Sequence, residues 1–176
     1  MQPIIYDVAV SLDGFISGPD GDVSQFAHDG PVAEDYATRL GGYSVALMGR
    51  KTYEFGYDFG LMPGQNPYPG MESYVFSQSL QVPDACQISV ISDDWERMIR
   101  DLKASSPGPI YLCGGGVFAG HLLKAGLINQ LILKRAPCVY GCGVSLFGEL
   151  AVSGAFTRRA LKHYDNGYIL ERFDVS

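Results

Sequence analysis

Tryptophan, histidine and cysteine are scarce in this chain, and their scarcity excludes several classes of protein. There are one Trp, three His and four Cys in 176 residues. The cysteines, at 86, 113, 138 and 142, form no CxxC pair, and Cys138 with Cys142 supplies too few ligands for a structural zinc. No metal site is expected, and the thiols are expected to be reduced and mostly buried. His28, His121 and His163 are scattered and carry no assigned role, so no Ser-His-Asp or Cys-His set can be argued. No basic run exceeds the pair Arg158–Arg159, and the formal charge is −6. A phosphate-tracking groove needs a basic stripe, so nucleic acid is not an expected partner. No apolar run approaches bilayer length, and MQPIIYDVAV lacks the basic region and cleavage site of a signal peptide. A cytoplasmic protein without a membrane partner is expected. Repeats and low-complexity linkers are also missing, and 18% charged against 47% hydrophobic residues is a globular balance. Residues 1–176 are expected to form one domain.

What is present is an alternation of strands and helices. IIYDVAV at 4–10 reads as a buried strand, followed by a Gly/Pro/Asp-rich stretch through Gly30. Pro31–Leu40 reads as a helix ended by Gly41-Gly42. A strand at 44–48 runs into a helix beginning within GRKTYEFG, and 56–71 is a loop. Short strands follow at 74–77 and 87–91. Ser92 is expected to cap a helix carrying Trp95, Met98, Ile99 and Leu102 at helical spacing. A strand at 109–113 leads through a glycine run into a helix ending at Ala125-Gly126, with Gly126 as its left-handed cap. Strands at 128–136, 155–163 and 168–174 close the chain, the last two joined by Asp165-Asn166-Gly167, a hairpin signal. This is an α/β protein with a mixed, mainly parallel sheet, helices on both faces and a C-terminal antiparallel hairpin.

Two strand-to-helix turns carry candidate chemistry. In IYLCGGGVFAGHLLKAG, bare backbone at a helix start lets N–H groups approach a pyrophosphate, while Val117 and Phe118 turn inward to pack the helix. The competing reading is a tight turn that needs positive φ, although three adjacent glycines exceed what one turn requires. Neither GxGxxG nor a phosphate-loop GxxxxGK occurs. In MGRKTYE, Arg50 and Lys51 follow Gly49 at a helix start, where the helix dipole disfavours cations unless an anion binds. The competing reading places both side chains in water. Two such turns together can grip a ligand with more than one phosphate, and a dinucleotide fits.

These segments resemble the dihydrofolate-reductase-like superfamily, in the branch of the RibD C-terminal, riboflavin-biosynthesis reductase domain. VSLDGFISG at 10–18, LMGRKTYE at 47–54, YLCGGGVFAGHLLKAGLINQLIL at 111–133 and APCVYGCGVSLF at 136–147 carry the resemblance, in the family's order. It implies an NADPH-dependent oxidoreductase that transfers hydride to a small heterocyclic or carbonyl substrate. Gly49, Arg50, Lys51 and Thr52 would lie at cofactor phosphates, with Arg50 or Lys51 reading the ribose phosphate. Ser77 and Gln78 would lie at the adenosine end, and Gly114, Gly115, Gly116, Val117 and Phe118 at the pyrophosphate. Asp13, in the SLDG loop, would border nicotinamide and substrate. A homodimer is also implied. The riboflavin-pathway reductases usually carry a glutamate just before the glycine turn, where this chain has Cys113. Three alternatives follow: the 5-amino-6-(5-phosphoribosylamino)uracil reductase, a dihydrofolate reductase, and a nonenzymatic NADP(H)-binding protein.

Reducing a C=N or C=O bond needs a proton donor. With Val32, Tyr36 and Leu40 as the buried stripe of helix 31–40, Asp35 falls at its edge, toward the cleft, and Glu34 toward water. Asp35 and Asp13 are the catalytic candidates. Each has a competing reading, Asp35 as a solvated first-turn carboxylate and Asp13 as an Asp-Gly turn residue.

Overall fold

The computed structural model describes residues 1–176. In chain order the elements are β1 (Ile4–Val10), β2 (Phe15–Ser17), α1 (Gly30–Leu40), β3 (Val45–Gly49), α2 (Arg50–Phe55), β4 (Glu72–Phe76), β5 (Ser89–Ile91) and α3 (Trp95–Ser105). They continue with β6 (Ile110–Gly114), α4 (Gly116–Lys124), β7 (Gln130–Arg135), β8 (Val144–Ser145), β9 (Phe156–His163) and β10 (Ile169–Val175). Eight strands form one sheet in the order β5-β4-β3-β6-β1-β7-β10-β9, while β2 and β8 pair separately. The first six are mutually parallel. The sheet ends in β10 and β9, antiparallel to their neighbours.

The central strands read as unbroken apolar runs because both faces are covered. Along β3, Ala46 and Met48 join a core that includes Val32 of α1 and Tyr53 of α2. Val45 and Leu47 face a second core with Ile99 and Leu102 of α3 and Ala119, Leu122 and Leu123 of α4. α4 ends as its sequence predicts. Gly126 takes φ 65°, its N–H reaches Leu123 O, and buried Leu127 donates to Leu122 O. At the closing hairpin, Gly167 adopts φ 85° and donates to Tyr164 O.

Several local expectations are corrected. Ser92 does not cap α3: Asp94 precedes the first helical residue, and the Ser92 hydroxyl donates to Asp93 instead. β4 begins two residues early and stops at Phe76, and β5 is shortened to three residues. The β2–β8 pair was not foreseen, since strands of three and two residues carry almost no periodicity. Nor are the thiols mostly buried. Cys86, Cys113 and Cys138 are half-buried and Cys142 is exposed, all of them free.

Candidate active site

Because β4, β3 and β6 run parallel and side by side, the segments that follow them emerge at the same end of the sheet. In an open α/β sheet that end is where ligands bind. Gly49 and Gly115 occupy the positions just before α2 and α4, neither helix has a side-chain cap, and neither first turn carries an acid. The amide groups there keep their partial positive charge.

The three glycines differ in what the fold asks of them. Gly114 has φ 129°, a region that disfavours a side chain. A Cβ on Gly116 would stand 2.1 Å from Ser145 O, so this residue lets the 145–148 segment pack on α4. Gly115 has an ordinary φ of −70°, and a Cβ there would meet only Thr52 Oγ1, at 3.1 Å. Backbone conformation and packing explain the first and third glycines, and a Cβ on the middle one would crowd the Thr52 hydroxyl of the facing turn.

Around this turn Arg50 Nη1 donates to Ser79 Oγ at 2.9 Å and its Nε lies 3.6 Å from Glu54. Lys51 and Gln78 are exposed. Ser77 Oγ accepts from the Ser79 and Leu80 amides. Phe118 stacks on Phe76 with ring centroids 4.8 Å apart. Val117, expected to turn inward, is 55% exposed and lies on the side of α4 that meets Gly148 rather than in the core. The residues expected to hold a dinucleotide thus lie on three neighbouring strand ends.

Beside the turns lies a cavity of about 460 Å³, with Met48, Thr52 and Cys113 in its lining. Of its 23 lining residues 17 are hydrophobic, so it is fitted to an aromatic or aliphatic ligand. Tyr111 organises one wall. Its hydroxyl lies 2.5 Å from that of Tyr36, Tyr43 stacks on its ring at 5.2 Å, and Tyr68 meets it edge-on at 5.5 Å. Burial pushes the Tyr36, Tyr68 and Tyr111 phenols and the Cys113 thiol well up, so all four stay neutral.

Polar groups enter from two apolar strands. The Asp7 side chain of β1 has no exposed surface. It accepts from Arg39 Nε at 2.7 Å, Arg39 Nη2 at 3.1 Å and the Tyr43 hydroxyl at 3.2 Å. Lys134 Nζ of β7 lies 3.1 Å from Asp7 and 3.4 Å from the centroid of the Tyr36 ring. Burial pushes the Asp7 carboxyl up, but Lys134 and Arg39 outweigh it and hold the group below its ordinary value. Lys134 is lowered to about 8, mainly by burial and with a further push from Arg39, against the pull of Asp7.

The acids read from the sequence lie elsewhere. Asp35 does not turn to the cleft. Its carboxylate takes an ion pair from Lys162 and a hydrogen bond from the Tyr164 hydroxyl, both of the C-terminal hairpin, which hold it below the ordinary carboxyl range. A helical wheel registers a stripe edge but not the hairpin lying over it. Asp13 binds the Ser11 hydroxyl at 2.5 Å and accepts from the Tyr140 and Gly141 amides, clamping its loop to the 138–143 segment. Those bonds, Ser11's first, lower its pKa as well. Neither acid lines the cavity. Asp7, Lys134 and His28 do, and sequence reasoning gave them no role. The available signal was charge of opposite sign inside two apolar strands, Asp7 alone in IIYDVAV and Lys134 beside Arg135 in LILKRA.

The sheet order, the helices on both faces and the glycine turn at its C-terminal edge define an α/β protein of the dihydrofolate-reductase-like fold. Within that fold the chain belongs to the RibD C-terminal domain family, whose pattern matches residues 2–170. It is similar to YwjB, an uncharacterized protein of Bacillus subtilis strain 168, with 29% identity over 153 residues, 85% of this chain and 84% of that protein. Among solved structures it superposes on a protein assigned to riboflavin biosynthesis from Shewanella sp. PV-4. The TM-score is 0.83 at 24% identity, covering 99% of both chains. The fold is also that of a dihydrofolate reductase from Enterococcus faecalis solved with NADP(H). There the TM-score is 0.69 at 15% identity, covering 99% of this chain and 96% of that one. No helix is long and apolar enough to cross a membrane.

Proposed function

We propose that this protein is an NADPH-dependent reductase acting on a small heterocyclic or carbonyl compound held in the aromatic cavity. One juxtaposition carries the reading: bare backbone at the uncapped start of α4, with Arg50 and Lys51 alongside, adjoins a cavity of substrate size. The residues fit a dinucleotide, since Gly115 keeps the backbone bare at the uncapped start of α4, facing Thr52 of the α2 turn. Gly49, Thr52 and the 114–118 turn would hold its pyrophosphate, Arg50 or Lys51 its ribose phosphate, and Ser77 with Gln78 its adenosine end. When bound, the nicotinamide supplies hydride. The chain's own contribution is a water-poor aromatic wall and a proton held on Lys134 Nζ, the cavity's one buried ammonium. Asp13 fixes the loop bordering that space.

The likeness to the Shewanella protein supports the pyrimidine reductase of riboflavin synthesis as the second reading. Cys113, at the position of that branch's usual glutamate, argues for a different substrate.

Cofactor titration tests the proposal. NADPH should bind more tightly than NADH, and Arg50→Ala should erase most of that preference, a loss of about 1–3 kcal/mol for one charge-assisted contact. Equal affinity of the unmodified protein for both cofactors would overturn the cofactor assignment. Binding without NADPH oxidation across pterins, aminopyrimidines and dicarbonyls would instead identify a nonenzymatic NADP(H)-binding protein.

A further inference from the structure

The charged cluster at the cavity floor, Asp7 and Lys134 of the lining with Arg39 behind them, holds more positive than negative charge. Asp7 is the single carboxylate of the lining, and both its oxygens are engaged. Arg39 holds it at two points, Tyr43 donates to Oδ2, and Lys134 sits 3.1 Å from Oδ1. One carboxylate is therefore shared by two cations, Lys134 in the lining and Arg39 outside it, so the buried cluster as a whole carries a net charge of +1. The groups facing Lys134 can be named element by element: Asp7 on β1, Tyr36 and Arg39 on α1, and Leu170 across the ladder on β10. None is a second acid. Asp35, also on α1, is already matched by Lys162.

Two consequences follow for a ligand. A ring bearing an amidine or guanidine-like edge binds a carboxylate through two parallel N–H donors, and Asp7 has no pair of oxygens free to accept them. An oxygen that carries negative charge, or gains it as the ring is reduced, finds an ammonium whose one carboxylate partner is shared with Arg39, in a low-dielectric setting where charge attraction is strongest. The tyrosine wall supplies the flat surface for an aromatic ring.

We propose that the cavity selects flat aromatic ligands whose inward atom is an oxygen acceptor, such as an aromatic carbonyl, enolate or phenolate, and rejects rings that present an amidine edge. This rests on reading the cavity as the substrate chamber and narrows the substrate class of that reading. Lys134 Nζ is the group that meets the oxygen, and Asp7 is a positioning residue that holds the ammonium against Tyr36.

The test is a binding titration without cofactor, using 4-nitrophenol as the probe because its phenolate absorbs at a different wavelength from its phenol. The protein should bind the phenolate form preferentially. The bound probe's pKa should fall by about one unit, equivalent to tenfold tighter binding of the anion. Lys134→Met should abolish that spectral shift, while Lys134→Arg, which keeps the charge, should retain most of it. 2,4-Diaminopyrimidine should bind at least tenfold more weakly than the phenolate. The proposal is overturned if the diaminopyrimidine binds as well as the phenolate, if the phenolate does not bind, or if Lys134→Met leaves the shift intact. Because no NADPH is present, these outcomes are separate from the fate of the reductase reading. A protein that binds phenolate but no NADPH keeps the ligand class and loses the reductase, and the converse result does the reverse.

Discussion

A carboxylate with no exposed surface in the middle of a strand costs several kcal/mol in lost hydration, and only close opposite charge offsets it. Asp7 meets that condition twice, through Arg39 and Lys134. Removing its charge leaves two cations without their counter-ion, so Asp7→Asn should destabilise the protein by about 3–5 kcal/mol in urea unfolding. Lys134→Met should cost markedly less, because Asp7 keeps its two-point contact with Arg39 and the methionine fills the same apolar space. A fall of equal size in both variants would show that Lys134, not Arg39, neutralises the aspartate. The charges themselves were visible in the sequence, Asp7 alone in its apolar strand and Lys134 next to Arg135 at the end of another. Their meeting was not, because it depends on the parallel register that sets Ala9 beside Lys134 and Asp7 two residues back on the same face. Asp35 failed in the opposite way. Its helix face was legible, but the hairpin that takes its carboxylate arrives from 127 residues downstream.

Helix α4 shows the same division within one element. Its boundaries were readable, since Gly126 forms the left-handed cap that the Ala-Gly ending predicts. The glycines inside it were not interpretable from the sequence, because their reason lies in the 145–148 segment packed on top. A Cβ on Gly120 would stand 2.3 Å from Phe147 O, whereas one on Gly126 would meet nothing within 4 Å. Helix propensity alone says that alanine at Gly120 should stabilise by roughly 0.8–1 kcal/mol. The structure reverses the sign. Gly120→Ala should destabilise, and by more than Gly126→Ala, whose penalty is the backbone cost alone, about 1–2 kcal/mol. Chemical denaturation of the two variants gives the order. A stabilised Gly120→Ala protein would mean that the 145–148 segment does not pack on α4 as described. The β2–β8 pair belongs to this same tertiary layer, too short to read before the segments around it were placed.

At the scale of the whole molecule, the alternation of elements was enough to give an α/β sheet covered on both faces, but not the strand order. The insertion of β6 between β3 and β1 brings the glycine turn beside MGRKTYE, and the pairing of β1 with β7 forms the charged cavity floor. Burying that floor also leaves a mark on global stability. Lys134 titrates near 8 when folded against an ordinary 10.5. Below about pH 8 both folded and unfolded chains hold its proton, so the cost of the buried ammonium is full and constant. Between the two values the unfolded chain binds more protons, so this group makes stability rise with pH, and the gain levels off once both states are neutral. The buried tyrosines act the other way above about pH 10, because their raised pKa values leave the unfolded state as the one that ionises first. The measurement is therefore a difference. Urea unfolding of the parent and of Lys134→Met, followed from pH 7 to 10.5, cancels the tyrosines that both proteins share. The parent should gain on the variant across that interval, starting near pH 8. A constant difference would show that Lys134 keeps an ordinary pKa in the folded protein, and that its ammonium is hydrated rather than held in the floor of the cavity.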